Sequence, residues 1–367
     1  NHGSSIVTTP DGDLLAAWFR GSGERTADDV RIMGARKRAG EETWSEAFLM
    51  ADTPRLPDCN PVLFVDPRGT LWLFWLTVQN NDWAGSLLKY RTATDYAADG
   101  PPDWDWQDVI HTRPLDLEEQ FLEMLDNATE ALGGFLDAVP ALKEAAELGR
   151  EAATDKLSRR LGWMTRIHPI MTSDQRIMLG LYSDLFNCCL AAFTEDWGAT
   201  WQFSEPILDP EIKYLGNIQP SFVQKKNGDI VAYMRDNGIP KYVRTATSQD
   251  DGVTWSRLGI LPIRNPGSSV EAVALASGRW VLVCNDTVDG RHRLTAYLSE
   301  DEGATWPWSR PLENAAPGKG SSSYPSVIQA PDGSIHCTYS FNEHDVDGSS
   351  IKHARFNEAW VMEETAN

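Results

Sequence analysis

The chain has 367 residues, 33 Lys+Arg against 53 Asp+Glu, a net charge of −20 and a hydrophobic content of 41%. So negative a field argues against nucleic acid or an anionic membrane surface as the partner, and no apolar run approaches the roughly 18–20 residues a membrane helix needs. Five scattered cysteines (Cys59, Cys188, Cys189, Cys284, Cys337) form no C-x-x-C pair and no zinc-ligand spacing. They are expected as buried free thiols, and no metal or cofactor is called for.

In chain order, the first unit is a β-rich run ending in "TPDGDLLAAWF" (9–19), a turn followed by an apolar strand. The same turn and strand return at "DPRGTLWLFWL" (66–76), "TSDQRIMLGLY" (172–182), "KKNGDIVAYMR" (225–235), "LASGRWVLVCN" (275–285) and "APDGSIHCTYS" (330–340). Each has a β-rich run before it, and a third strand follows, such as "SLLKYRTAT", "RLTAYLS" or "SIKHARF". One gap between units is double length. It holds 115–160, where Leu117, Phe121 and Leu125 recur at helical spacing among strong helix formers. The stretch 113–160 is therefore read as a helical insertion between the second and third units, serving as a surface for a homo-oligomer or as decoration.

A second repeat confirms the period. "TEDWGATW" (194–201), "SQDDGVTW" (248–255) and "SEDEGATW" (299–306) share Ser/Thr-x-Asp-x-Gly-x-Thr-Trp. Aspartate bonds nearby backbone N–H groups, glycine takes the positive-φ position, and tryptophan packs between sheets. Repeats of this length mean a solenoid, propeller or array. Six units of three or four strands predict an all-β, six-bladed β-propeller, with 1–367 as one domain.

In a propeller, the start of each inner strand and the loop after each second strand share one mouth. Those positions carry His2, Asn60, Arg166, His168, Gln219, Glu271 and Tyr324 on inner strands, and Arg20, Glu24, Asp28, Asp184 and Arg235 in or beside the loops. Polar residues crowding between apolar strands mark the expected site. The repeat aspartates Asp196, Asp250 and Asp301 lie at the opposite rim and read as turn-formers.

The three Asp-containing repeats and the blade period resemble the sialidases (neuraminidases) and the wider sialidase-like, Asp-box superfamily, over the whole chain except the insertion. In that family an arginine triad holds the substrate carboxylate, a tyrosine paired with a glutamate is the nucleophile, and an aspartate in the first blade's loop is the acid/base. The resemblance implies Tyr324, nine residues before Gly333, as nucleophile and Glu271 as its base. Asp28 or Glu24 would be the acid/base, and Arg20, Arg166 and Arg235 would hold an anionic group. The family's first arginine is replaced here, where His2 stands at its place.

The expected function is a retaining exo-glycoside hydrolase for a terminal acidic or modified sugar of a glycan. The alternatives are a uronate lyase, with His2 or His168 as base and Tyr324 as acid, and a non-catalytic carbohydrate-binding propeller. Such enzymes usually work outside the cytoplasm, with any signal peptide outside this sequence; unpaired cysteines point the other way.

Overall fold

The computed structural model describes residues 1–211, 213–214, 216–343 and 348–363. Six antiparallel sheets are set in a ring, each built in chain order from the inside outward. Their inner strands are His2–Thr8, Asp58–Val65, Trp163–Met164 with Ile170–Met171, Asn217–Gln224, Val270–Ala274 and Ser321–Gln329. The first of these lies against both Asp58–Val65 and Ser321–Gln329, which closes the ring. The third is broken, both of its pieces pairing with Ile177–Ser183. The sixth sheet has three strands among the described residues.

Blades stack face to face, so a middle strand is covered on both sides and needs no polar face. Leu71–Val78 and Ile177–Ser183 are accordingly buried at every position. The Asp-containing turns close the outer hairpins. Asp301 accepts hydrogen bonds from the Ser299 hydroxyl and from both the N–H and hydroxyl of Thr305, and Asp196 and Asp250 repeat the arrangement. Gly303 has φ +81°, and a Cβ there would meet the Tyr233 hydroxyl of the neighbouring blade and the Trp280 ring of its own. No other residue fits that approach.

Helices α1 (Leu117–Ala138) and α2 (Pro140–Thr154) interrupt the chain between the second and third sheets. A connection from an outermost strand to the next inner strand emerges at the mouth end of a propeller. Leu117, Phe121 and Met124 of α1 are buried, and the Phe121 ring packs edge-on against Phe186 at 5.1 Å. Phe186 lies in the loop after the third blade's second strand, two residues beyond Asp184. The insertion thus braces a mouth loop. All five cysteines are buried and unpaired, and no helix among the described residues is long and apolar enough to cross a membrane.

Candidate active site

Four inner strands slip register near their mouth ends: between His2 and Ser5, Cys59 and Val62, Ile218 and Ser221, and Ser323 and Ser326. At each slip one residue takes a left-handed backbone: Gly3 (φ 60°), Asn60 (49°), Gln219 (58°) and Tyr324 (58°). A β-bulge of this kind re-aims a side chain out of the sheet's alternation. Proline follows in three of the four (Pro61, Pro220, Pro325) and has no N–H to lose from the ladder. A bulky residue such as tyrosine is rarely found in this conformation and persists only where its surroundings over-determine it.

Those surroundings are cationic. Arg235 Nη1 donates to the Tyr324 hydroxyl at 3.0 Å. The guanidinium carbons of Arg166 and Arg291 each lie 5.2 Å from the centre of the Tyr324 ring. Burial works to raise the phenol, but Arg235, Arg291 and a hydrogen bond from Gln219 outweigh it and hold Tyr324 below its ordinary range. The His2 ring sits 4.4 Å from the Tyr324 ring and 5.4 Å from Phe19. Burial, then Arg166 and Arg291, push His2 down to about 3, so its imidazole is neutral at working pH. Beneath them the Tyr182 hydroxyl accepts from Asn60 Nδ2 at 3.2 Å and Gln219 Nε2 at 3.5 Å.

Arg166 is 1% exposed. Its Nη1 donates to the Ser4 carbonyl, and its Nη2 to those of Tyr324 (2.6 Å) and Pro325. Expected as a substrate clamp, it serves here as a strut beneath the Tyr324 bulge through three bonds to backbone carbonyls, while its Nε is buried without a protein partner.

The expected Tyr324–Glu271 pair is not made. Glu271, 1% exposed, takes His168 Nδ1 at 2.5 Å on one oxygen and the Val327 N–H at 2.8 Å on the other. His168 Nε2 faces the Ile6 carbonyl at 2.8 Å, so that nitrogen must carry a proton. The four residues come from four blades, His168 from the break in the third blade's inner strand, and the pair ties the third, first, fifth and sixth blades together around the axis. The reason is alternation: Glu271 lies deeper along its strand than the mouth, and its side chain meets the channel wall.

At the lip, Glu24 opens a 3-10 turn (Glu24–Thr26) with φ 23°. Surrounding protein raises its carboxyl above the usual range, assisted by Asp184 and opposed by Arg25, Arg291 and Arg235. Asp184 is raised too, chiefly by its surroundings, with Arg235 opposing. Arg20 does not join them. It shares a strand face with Ala16 and Trp18 and lines a groove between blades 1 and 6 with Asn1 and Trp44. Glu24 and Asp28 are both exposed; Asp29, next to Asp28, accepts from the Ser22 N–H and hydroxyl.

Arg291, in the fifth blade's loop, is not among the residues that the sequence singles out. Asp286 is consumed by Arg293 and Tyr297, while Arg291 stands past the Gly290 turn and reaches Tyr324. A second basic residue in that loop was the available signal. Among the described residues, no group of three or more His, Cys, Asp or Glu side chains is placed to hold a metal.

With this geometry in hand, the relatives are informative. The model of the BNR repeat-like domain matches residues 12–120 and 155–337. No curated protein matches the sequence. Among solved structures, the chain is similar to the intramolecular trans-sialidase from Ruminococcus gnavus in complex with oseltamivir carboxylate (12% identity, TM-score 0.70, covering 99% of this chain and 95% of that one). It is equally similar to a protein of unknown function from Dyadobacter fermentans (16%, 0.68, 96% and 93%) and to the Hadza microbial sialidase Hz136 (16%, 0.69, 98% and 66%). Identities this low establish a sialidase-like six-bladed propeller and carry the fold alone.

Proposed function

The chain belongs to the BNR repeat-like domain family, and from that premise we propose that it is a retaining exo-glycoside hydrolase for a terminal sugar bearing an anionic group. The observation that carries the reading is Tyr324, bulged out of its strand and ringed by Arg235, Arg291 and Arg166. Arg235 and Arg291 are the groups offered to a substrate anion, since Arg166 is buried and bonded to three carbonyls. A guanidinium fork suits a carboxylate geometrically.

In the first half-reaction the Tyr324 oxygen bonds the anomeric carbon as the glycosidic C–O bond breaks. Glu24, protonated, gives its proton to the leaving oxygen. In the second half, Glu24 takes a proton from water, whose oxygen displaces Tyr324 from the same carbon. The neutral His2 beside Tyr324 supports a second reading, a uronate lyase in which His2 removes the proton next to the carboxylate and Tyr324 protonates the leaving group.

A screen of fluorogenic sialosides, uronides and rhamnosides with wild type and Tyr324→Phe tests both. Hydrolysis lost by at least 10²-fold in Tyr324→Phe supports the glycosidase. An ultraviolet-absorbing unsaturated product means the lyase. Cleavage that survives Tyr324→Phe in full removes both.

A further inference from the structure

In the family this chain resembles, a glutamate takes the proton of the tyrosine. Here the side chain that meets the Tyr324 hydroxyl alongside Arg235 is an amide, Gln219. Gln219 is 2% exposed and held by its own bulge, and its Nε2 donates to the Tyr182 hydroxyl at 3.5 Å. An amide cannot accept a phenol's proton at any working pH, but its N–H donates well to an oxygen anion. Glu271, the carboxylate expected to serve as base, has both oxygens engaged by His168 and Val327.

We propose that Tyr324 reacts as a phenolate, its charge stabilised by Arg235, Arg291 and Arg166 and by an N–H of Gln219, with no carboxylate base. As a nucleophile it rests on the glycosidase reading; as an anion it does not. The groups that face it come from every blade around it. They are His2 and Glu24 from the first, Arg166 and Tyr182 from the third, Gln219 and Arg235 from the fourth, and Arg291 from the fifth. Three are permanently cationic, His2 is neutral, and Glu24 opposes the anion, less so while it is protonated. Proton accounting then closes. The phenolate lone pair forms the bond to carbon, the leaving oxygen takes its electron pair and the proton of Glu24, and water later restores both groups. No proton moves on or off Tyr324. Gln219 is a positioning residue in this scheme.

The test reads the phenol directly and needs no substrate. Ultraviolet difference titration near 295 nm of wild type against Tyr324→Phe is expected to show one phenol ionising below the usual value of about 10. Gln219→Glu is expected to raise that midpoint by at least about one pH unit, a tenfold change in the ionisation constant. Arg291→Met is expected to raise it as well. Tyrosine 13Cζ NMR of the wild type reads the same ionisation without any substitution, should a variant misfold. A Tyr324 midpoint at or above about 10, or one that Gln219→Glu leaves unmoved, overturns the proposal. A low midpoint with no glycoside cleaved keeps the phenolate and sinks the glycosidase. A high midpoint with Tyr324-dependent cleavage does the reverse.

Discussion

Arg235 Nη1 donates to the Tyr324 hydroxyl at 3.0 Å, joining the end of a fourth-blade strand to a bulge in the sixth across 89 residues of chain. Each side chain supplies what the other lacks: the guanidinium steadies charge on the phenol oxygen, and the phenol leaves the remaining Arg235 donors free for a ligand. Arg235→Met is therefore expected to lower kcat/KM on an anionic glycoside by about 10²–10³-fold. Steady-state kinetics on an anionic substrate and its neutral analogue check it; equal losses on both would remove the anion-binding role.

On the glycosidase reading, Glu24 sets the alkaline side of the pH profile. Its carboxyl is raised above the usual range, mainly by the protein around it. As an acid it works while protonated, so the rate is expected to fall as pH rises through its folded value. Glu24→Gln is expected to flatten that limb and to spare substrates whose leaving group needs no proton. Profiles of kcat against pH with a good and a poor leaving group make the comparison. An unchanged alkaline limb in Glu24→Gln would assign the acid elsewhere.

Arg166 acts on stability before activity. Removing its guanidinium strands three carbonyls, those of Ser4, Tyr324 and Pro325, in a site that is 1% exposed. Arg166→Met is expected to cost about 2–5 kcal/mol in urea unfolding, through acceptors left unpaired. A loss within about 0.5 kcal/mol, the range of an ordinary surface change, would mean that the bulge stands without it.

The Asp-containing turns allow strain and collision to be separated. At Gly303 a Cβ would lie 2.1 Å from the Tyr233 hydroxyl and 2.9 Å from the Trp280 ring, at φ +81°. Gly318 has φ +77° with nothing within 4 Å. Gly318→Ala is expected to cost about 1–2 kcal/mol, from backbone strain alone. Gly303→Ala adds overpacking and is expected to cost about 2–5 kcal/mol. Equal losses in thermal melts would show that the blade contact contributes nothing.

Bracing of the mouth by the insertion is open to a similar comparison. The Phe121 ring packs on Phe186, two residues from Asp184. Phe121→Ala is expected to cost about 3–5 kcal/mol and to raise KM more than it lowers kcat. Unfolding curves and kinetics read the two effects separately, and a KM unchanged in a folded variant would make the insertion decoration.

Periodic features were legible from residues alone, because they are local. A turn glycine, an apolar strand and an Asp-containing hairpin each declare themselves within about ten residues. Their spacing carried the six-bladed ring, and the double gap carried the helical insertion. Alternation within one strand also puts Arg20 on the groove side with Ala16 and Trp18.

What the sequence by itself determined was the propeller, the end at which polar residues gather, and Tyr324 among them. Only the tertiary structure decided which of those residues touch. It gave Glu271 to His168, spent Arg166 on carbonyls, brought Arg291 to the phenol and set an amide, Gln219, where a carboxylate was expected. The physical reason is that the contacts at Tyr324 join strands from different blades, and a one-residue bulge in any of them re-aims its side chain. Register is read along a strand; convergence on an axis exists only once the ring has closed.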